Sequence, residues 1–180
     1  MFREMRRIGQ QITNEECLEI LSKANTGILG VIGDNGYPYT VPVNFVFKQG
    51  KDGSPGTISF HGAKEGYKID CIKKDPKVSF TVVDRDEVMP KERTTKYCSV
   101  IAFGKARLLE SEEDLRDAAN SLGTKYSSGY EDLYLAETED VLRQQCMSCV
   151  EIKIEHITGK IGMELLHERQ REKDNHSINA

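Results

Sequence analysis

The segment of residues 60–76 carries the side chains best suited to bind a ligand. Its sequence, FHGAKEGYKIDCIKKDP, places one histidine and two glycines between a predicted strand and a predicted short helix. The free backbone N–H groups at a helix start attract anions, and Gly62 and Gly66 let a ligand approach the backbone. Because Lys68 adds a positive charge, the segment predicts a phosphate site, to which Lys64 can contribute. In the alternative interpretation, which stays open, the lysines are only solvated surface charges and the glycines only mark a turn and the end of a helix.

His61 is the candidate acid–base residue of this segment. A histidine side chain exchanges a proton close to neutral pH, so it suits proton delivery to a bound substrate. A single histidine after a strand is more often a hydrogen-bonded structural residue. Both interpretations are kept at this point.

Cys146 and Cys149 form a Cys-x-x-Cys spacing near the end of the chain. A tetrahedral zinc site needs a second pair of ligands, and the sequence holds no second Cys-x-x-Cys and no His-x₃-His. A redox dithiol normally opens a helix after a strand, whereas this pair leads from a predicted helix into a strand. We therefore expect free structural thiols and no metal site.

The composition describes an ordinary globular domain. The 180 residues, 38% of them hydrophobic, suffice for one core, and we expect a single domain over residues 1–166 with a polar tail at 167–180. A net charge of −4 weighs against a nucleic-acid partner. No apolar run is long enough to span a membrane, and the charged N-terminal residues precede no apolar segment, so no secretory signal is expected. Five cysteines, an odd number, predict free thiols in the reducing cytoplasm.

The predicted elements form a mainly β fold, a small six-stranded antiparallel barrel with flanking helices. Sparse helix–strand alternation and the lack of a Gly-x-Gly-x-x-Gly after the first strand weigh against a dinucleotide-binding parallel sheet. The predicted strands are 28–32, 39–48, 57–61, 78–84, 97–109 (with a bulge at Gly104) and 149–157. The predicted helices are 13–24, capped by Thr13 and Glu16, 64–74, 112–126 and 137–145. Loops are expected at 85–93 and 126–136. Residues 156–160 form either a plain polar turn or a strand end that turns back over a bound ligand.

The order and spacing of eight short segments resemble the pyridoxamine 5′-phosphate oxidase-like split barrels, and among them most of all the 5-nitroimidazole-resistance (Nim-type) proteins. These segments lie within residues 5–162, nearly the whole chain. They are GVI at 30–32, NGYPY at 35–39, VPVNFVF at 41–47, FHGA at 60–63, GYK at 66–68, DPKVSF at 75–80, YCSVIAFGKA at 97–106 and IEHITGK at 154–160. The resemblance implies a homodimer that binds flavin at its subunit interface.

The cofactor implied by the resemblance is FMN, with FAD as the alternative. The implied flavin-binding residues are Tyr39, Val41, Pro42, Val43 and Asn44 along the ring edge, His61, Gly62 and Ala63 beside the ribityl chain and ring, Gly66, Tyr67 and Lys68 at the phosphate, and Tyr97, Ser99 and Val100 from the neighbouring subunit. Tyr39 and Asn44 stand where the true oxidases have basic residues, and Tyr67 where they have a second basic phosphate ligand. Vitamin B6 chemistry is therefore not expected.

We expect a flavin-dependent oxidoreductase that reduces a nitroaromatic or quinone-like small molecule, with His61 or water supplying protons. Neither a nucleic acid nor a membrane is expected as a partner. One alternative is a non-catalytic flavin carrier or redox sensor, because no acid–base pair accompanies His61. Another is a haem-binding split barrel with His61 or His156 as the axial ligand. Tyr126, Tyr130 and Tyr134 either cover the flavin or pack a helix against the barrel.

Overall fold

The computed structural model describes residues 2–51 and 53–178. A 3-10 turn at Ile8–Gln10 precedes the regular elements. The strands are β1 Gln11–Ile12, β2 Thr26–Ile32, β3 Pro38–Asn44, β4 Val46–Gln49, β5 Gly56–Ala63, β6 Lys77–Met89, β7 Thr94–Leu108 and β8 Met147–Ile161. The helices are α1 Asn14–Lys23, α2 Tyr67–Lys74, α3 Glu112–Tyr126, α4 Glu131–Gln144 and α5 Met163–Ile178. No helix within the described residues is long and apolar enough to cross a membrane.

All strand pairs are antiparallel, in the order β3-β2-β6-β7-β8-β5-β4, with β1 added beside β8. The first and last strands of this order, β3 and β4, follow each other in the chain with only Phe45 between them. The sheet must therefore curl until its two ends approach each other, yet no pairing joins them in the described residues. This is an open barrel, which confirms the predicted mainly β split barrel with flanking helices.

The barrel has eight strands where the sequence predicts six. One extra strand is the two-residue β1, and the other arises because the predicted strand 39–48 is divided at Phe45. The Phe45 side chain is fully buried and packs edge-on against Phe80, with ring centroids 4.9 Å apart. Because Phe45 turns its ring into the core at this point, the chain leaves one end of the sheet and joins the other.

The end of α3 satisfies the backbone groups that this break leaves without a strand partner. The Tyr126 hydroxyl accepts a hydrogen bond from the Phe45 N–H at 2.9 Å, and the Lys125 ammonium donates to the Phe45 carbonyl oxygen at 2.9 Å. Lys125 also donates to the Ala24 carbonyl oxygen and lies 4.3 Å from the Phe45 ring centroid. Buried backbone groups need such partners, so these contacts fix α3 across the open side of the barrel.

Alternating burial explains why the strands and α1 form where they do. Leu29 and Val31 of β2 point into the core while Ile28 and Ile32 point outward, as period-two alternation requires. The predicted capping box is confirmed: Thr13 Oγ1 accepts from the Glu16 N–H, and Glu16 Oε2 accepts from the Thr13 N–H. The predicted bulge is confirmed too, because the register between β7 and β8 shifts at Gly104.

The segments predicted as loops prove to be regular structure. Residues 85–89 continue β6, because they pair with the first residues of β7 and only 90–93 form the turn. The predicted turn at 156–160 lies inside β8. Gly159 there does not break the strand; a Cβ on it would come within 2.5 Å of the Ile12 side chain, so glycine is required by close packing.

Helix boundaries also differ from the sequence predictions. Of the predicted loop 126–136, the residues from Glu131 onward belong to α4. The predicted helix 64–74 begins at Tyr67 because Gly66, at φ +136°, is its N-cap, so Lys64 precedes the helix. Residues 163–178 form α5; the predicted division of the chain at residue 166 stays a prediction.

The contacts at Phe45 predict that replacing Tyr126 by phenylalanine destabilises the protein. The substitution leaves the Phe45 N–H without its acceptor, and such a loss costs about 1–3 kcal/mol in the free energy of unfolding. Urea unfolding followed by circular dichroism measures this change. Tyr130→Phe is the matched control, since Tyr130 is 63% exposed. Equal stability of the two variants would contradict the proposed role of the hydroxyl.

Candidate functional site

A cavity of about 540 Å³ lies between the end of β5, the start of β8 and the hairpin of α3 and α4. Four of the sequence-predicted site residues line it, namely Asn44, His61, Gly62 and Ala63. This volume falls within the range of about 300–1,000 Å³ that small-molecule sites occupy. The structure therefore brings part of the predicted site to a cavity of the size that small molecules occupy.

Two tyrosines form aromatic walls of this cavity. Tyr126 is held by its contacts with Phe45, and the Tyr134 hydroxyl lies 3.1 Å from Thr124 Oγ1. The Tyr134 ring packs directly on α3 at Gly123, where a Cβ would come within 2.3 Å of the ring. Both hydroxyls are thus engaged with the protein, which leaves the rings as the surfaces available to a ligand. Tyr130, the third tyrosine of the region, is exposed.

Lys68 lies at the edge of the cavity, over the end of β5. Its Cε and Nζ atoms are 3.4 and 3.5 Å from the position that a Cβ on Gly62 would occupy. Lys68 is in the first turn of α2, where the backbone N–H groups lack intrahelical acceptors, and the N-cap Gly66 has no side chain. The N–H groups of Ile69 and Asp70 donate to the Gly66 carbonyl oxygen, which leaves those of Tyr67 and Lys68 without a helical acceptor. Lys64 is exposed in the preceding loop.

Tyr67 positions α2 against the turn between β2 and β3. Its hydroxyl donates to Asp34 Oδ1 at 2.7 Å and accepts from the Asp34 N–H at 3.1 Å. The hydrogen bond to the Asp34 carboxylate raises the pKa of Tyr67 above its ordinary value. The Tyr67 ring also packs edge-on against Tyr39, with centroids 4.9 Å apart. These contacts explain how the short helix keeps its place beside the sheet.

The remaining predicted residues of β3 are divided between its two faces. Tyr39, Val41 and Val43 pack against the core, while Pro42 and Asn44 are exposed on the other face. Asn44 is the member that reaches the cavity.

Tyr97, Ser99 and Val100 of β7 lie away from the cavity lining. Tyr97 and Ser99 share the outer face of the sheet, where the Lys160 ammonium is 5.4 Å from the Tyr97 ring centroid. The Val100 side chain is fully buried in the core, so only its backbone is available to a ligand. A contribution of these residues to a neighbouring subunit's site stays a prediction.

The two residues of the Cys-x-x-Cys spacing have different environments. Cys146 is exposed at the cavity, whereas Cys149 is fully buried in β8 and its burial raises the pKa of the thiol to about 11. Burial raises the pKa of the Cys17 thiol to about 12. All five cysteines are unpaired, and the described residues contain no cluster of three His, Cys, Asp or Glu side chains able to hold a metal ion.

Of the residues that α4 contributes to the cavity, the sequence analysis names only Tyr134. Tyr134, Thr138 and Val141 line the cavity from this helix, as does Glu137. The spacing of the first three, i, i+4 and i+7, is that of one helix face, and this signal was available in the sequence. The tyrosines around residue 130 suggested an irregular segment instead.

A family model described as pyridoxamine 5′-phosphate oxidase matches residues 13–161. The chain belongs to this family. Its membership confirms the family predicted from the sequence segments. No curated protein has a significant sequence match to the chain.

Solved structures share the fold of this family member. A protein from Bacteroides thetaiotaomicron described as a 5-nitroimidazole antibiotic resistance protein has 20% identity and a TM-score of 0.65, over 84% of this chain and 86% of that one. An FAD-binding protein from Mesorhizobium loti has 22% identity and a TM-score of 0.59, over 85% and 97%. An FAD and haem binding protein from Mycobacterium smegmatis has 17% identity and a TM-score of 0.65, over 86% and 74%. At these identities the likeness demonstrates the common fold.

The burial of the thiols predicts that only Cys146 reacts quickly with a thiol reagent in the native protein. The other four cysteines are buried, and thiolates are the reactive form, so the raised pKa values of Cys17 and Cys149 suppress reaction near pH 8. Titration with a chromogenic disulfide before and after unfolding measures this difference. Cys146→Ser should abolish the fast phase; a fast phase that survives in this variant would refute the assignment.

Proposed function

We propose that this chain binds a phosphorylated flavin, FMN first and FAD as the alternative, and reduces small aromatic acceptors such as nitroaromatics. The observation that carries the proposal is the placement of Lys68 over Gly62, beside the cavity that His61 and Ala63 also line. Family membership supports it, as do the structural relatives described as FAD-binding.

The residues present fit the phosphate end of such a cofactor. At Gly62 the missing side chain leaves room next to the Lys68 ammonium, which a Cβ would partly fill. Gly66 exposes the start of α2, so the free N–H groups and the Lys68 charge can act on one anion together. Lys64 is exposed outside the helix and contributes less.

A bound flavin supplies the transfer of electrons or hydride between donor and acceptor. The chain's own part is to orient the reactants, exclude water and deliver protons. The His61 side chain is exposed at the cavity and makes no hydrogen bond to another described residue, so its ring nitrogens are accessible to a bound acceptor. Tyr126 and Tyr134 line the same cavity.

The outer face of the sheet supports the proposal of a homodimer. Ile28, Ile32 and Val83 are 42%, 55% and 55% exposed on the face that also carries Tyr97 and Ser99. Exposed apolar residues that share one sheet face are available for an interface, and a second copy of the same face can cover them around a twofold axis. The unpaired cysteines support a reducing compartment such as the cytoplasm.

The proposed phosphate site predicts that Lys68→Ala weakens FMN binding. Loss of a charge-assisted hydrogen bond should raise the Kd for FMN about tenfold, while riboflavin, which lacks the phosphate, should bind the variant and the parent alike. Quenching of flavin fluorescence measures both affinities.

Lys64→Ala is the matched control for this experiment. Lys64 lies in an exposed loop four residues before Lys68, and its replacement removes the same charge. It should change the FMN affinity by about twofold or less. A protein that binds neither FMN nor FAD would refute the proposed function. Equal effects of Lys68→Ala on FMN and riboflavin would refute the phosphate contact.

The exposed position of His61 predicts that His61→Ala spares folding and impairs turnover. A general acid contributes about a hundredfold to the rate, so the variant should keep its unfolding midpoint while the reduction of a nitroimidazole by the flavin-loaded protein slows. Stopped-flow oxidation of the reduced, FMN-loaded protein measures the rate. Unchanged kinetics in the loaded variant would reject the role of His61.

The same experiments separate the alternative functions. A flavin-loaded protein that is inert toward donors and acceptors is a carrier or sensor. One structural relative is described as binding both FAD and haem, and His61 is exposed, whereas His156 is stacked on Phe2 at 4.5 Å between ring centroids. A Soret band on addition of haem that His61→Ala abolishes would favour haem binding.

A further inference from the structure

We propose that the cavity between the α3–α4 hairpin and the end of β5 is the acceptor pocket and selects uncharged or cationic planar aromatic molecules over anions. Glu137 and Thr138 of α4 are the residues that set this selectivity. The inference rests on the proposed function, since the cavity is an acceptor site only if a flavin binds beside it. It goes further by naming the charge class of the acceptor.

The charges around the cavity are unfavourable for an anion. Glu137, an exposed residue of α4, is the acidic member of the lining, which contains no lysine and no arginine and whose one basic side chain is the imidazole of His61. The nearby Lys125 is outside the lining, and its ammonium already donates to the carbonyl oxygens of Ala24 and Phe45. An anionic ligand would thus lose its hydration and meet a like charge. A cation would meet an opposite charge.

Thr138 provides a polar contact that the protein leaves unused. Thr138 is 5% exposed, it lines the cavity, and its hydroxyl makes no hydrogen bond to another described residue. The hydroxyl is not among the fully buried polar atoms that lack a partner, so it is accessible from the cavity. A ligand that reaches Thr138 therefore exchanges the hydrogen bond that water makes there for one of its own.

The remaining walls favour a flat apolar ring. The hydroxyls of Tyr126 and Tyr134 are engaged by Phe45 and Thr124, so these two residues present rigid rings. Apolar side chains complete the lining, among them Leu122, Val141 and Met147.

The positive charge of the site lies outside this cavity. Lys68 is not part of the lining but sits over Gly62 at the edge. A phosphate is therefore accommodated at the start of α2, and the uncharged part of a ligand faces the interior. This separation explains why one site can bind an anionic cofactor and still reject an anionic acceptor.

Isothermal calorimetry on the FMN-loaded protein tests the inference with three probes that share one ring and one nitro group: para-nitrobenzyl alcohol, para-nitrobenzylamine and para-nitrobenzoate. We expect the alcohol and the amine to bind at least about tenfold more tightly than the carboxylate. Glu137→Gln should reduce the preference of amine over carboxylate by about fivefold. Asp132→Asn, on the same helix but outside the lining, is the matched control and should leave that preference unchanged.

Thr138→Val tests the hydroxyl with little change of shape. It should weaken binding of the alcohol about fivefold, and Thr138→Ser should restore it. Circular dichroism confirms that each variant is folded before its affinities are compared.

Carboxylate binding as tight as that of the alcohol, or equal effects of Glu137→Gln and Asp132→Asn, would overturn the proposed selectivity. If the protein binds FMN in either of these cases, the proposed function stands and only this inference fails. A protein that binds no flavin overturns both, whatever the probes do, because the cavity then has no electron source beside it.

Discussion

The contact between the end of α3 and the backbone at Phe45 joins the two unpaired ends of the open sheet. The two ends of the sheet meet there without pairing, and the buried Phe45 ring takes its own N–H and carbonyl out of the strand ladder. Tyr126 and Lys125 replace the missing strand partners. Because α3 is fixed at this point, its preceding turns and the following α4 must lie over the end of β5, and that placement creates the cavity.

Two regions of opposite character therefore border the same strand end. The positive side is formed by Lys68 and the start of α2, which Tyr67 holds to the β2–β3 turn. The acidic and apolar side is formed by the α3–α4 hairpin with Glu137. The short edge from His61 to Ala63 lies between them. A cofactor with a phosphate and an uncharged ring system, followed by a second uncharged reactant, matches this arrangement.

The sequence predicts the elements whose signals are local. Helix α3 has the predicted bounds because Ser111 caps it and its apolar face is periodic. The glycines and lysines of residues 60–76 are enough to predict a ligand site in that segment. Features fixed by distant contacts were only partly predicted. Gly159 suggests a turn until its packing against Ile12 is known, and α4 packs on α3 through the contact of Tyr134 with Gly123. The sequence shows the helix face of α4 that carries Tyr134, Thr138 and Val141, but it does not show that this face lines the cavity.

A crystal structure of the protein reconstituted with FMN would locate the cofactor. We expect a flavin whose phosphate lies within hydrogen-bond distance of the Lys68 ammonium and the first N–H groups of α2, with its ring bordering His61 and the cavity. A flavin seated elsewhere, with its phosphate out of reach of Lys68 and its ring away from His61, would contradict this expectation.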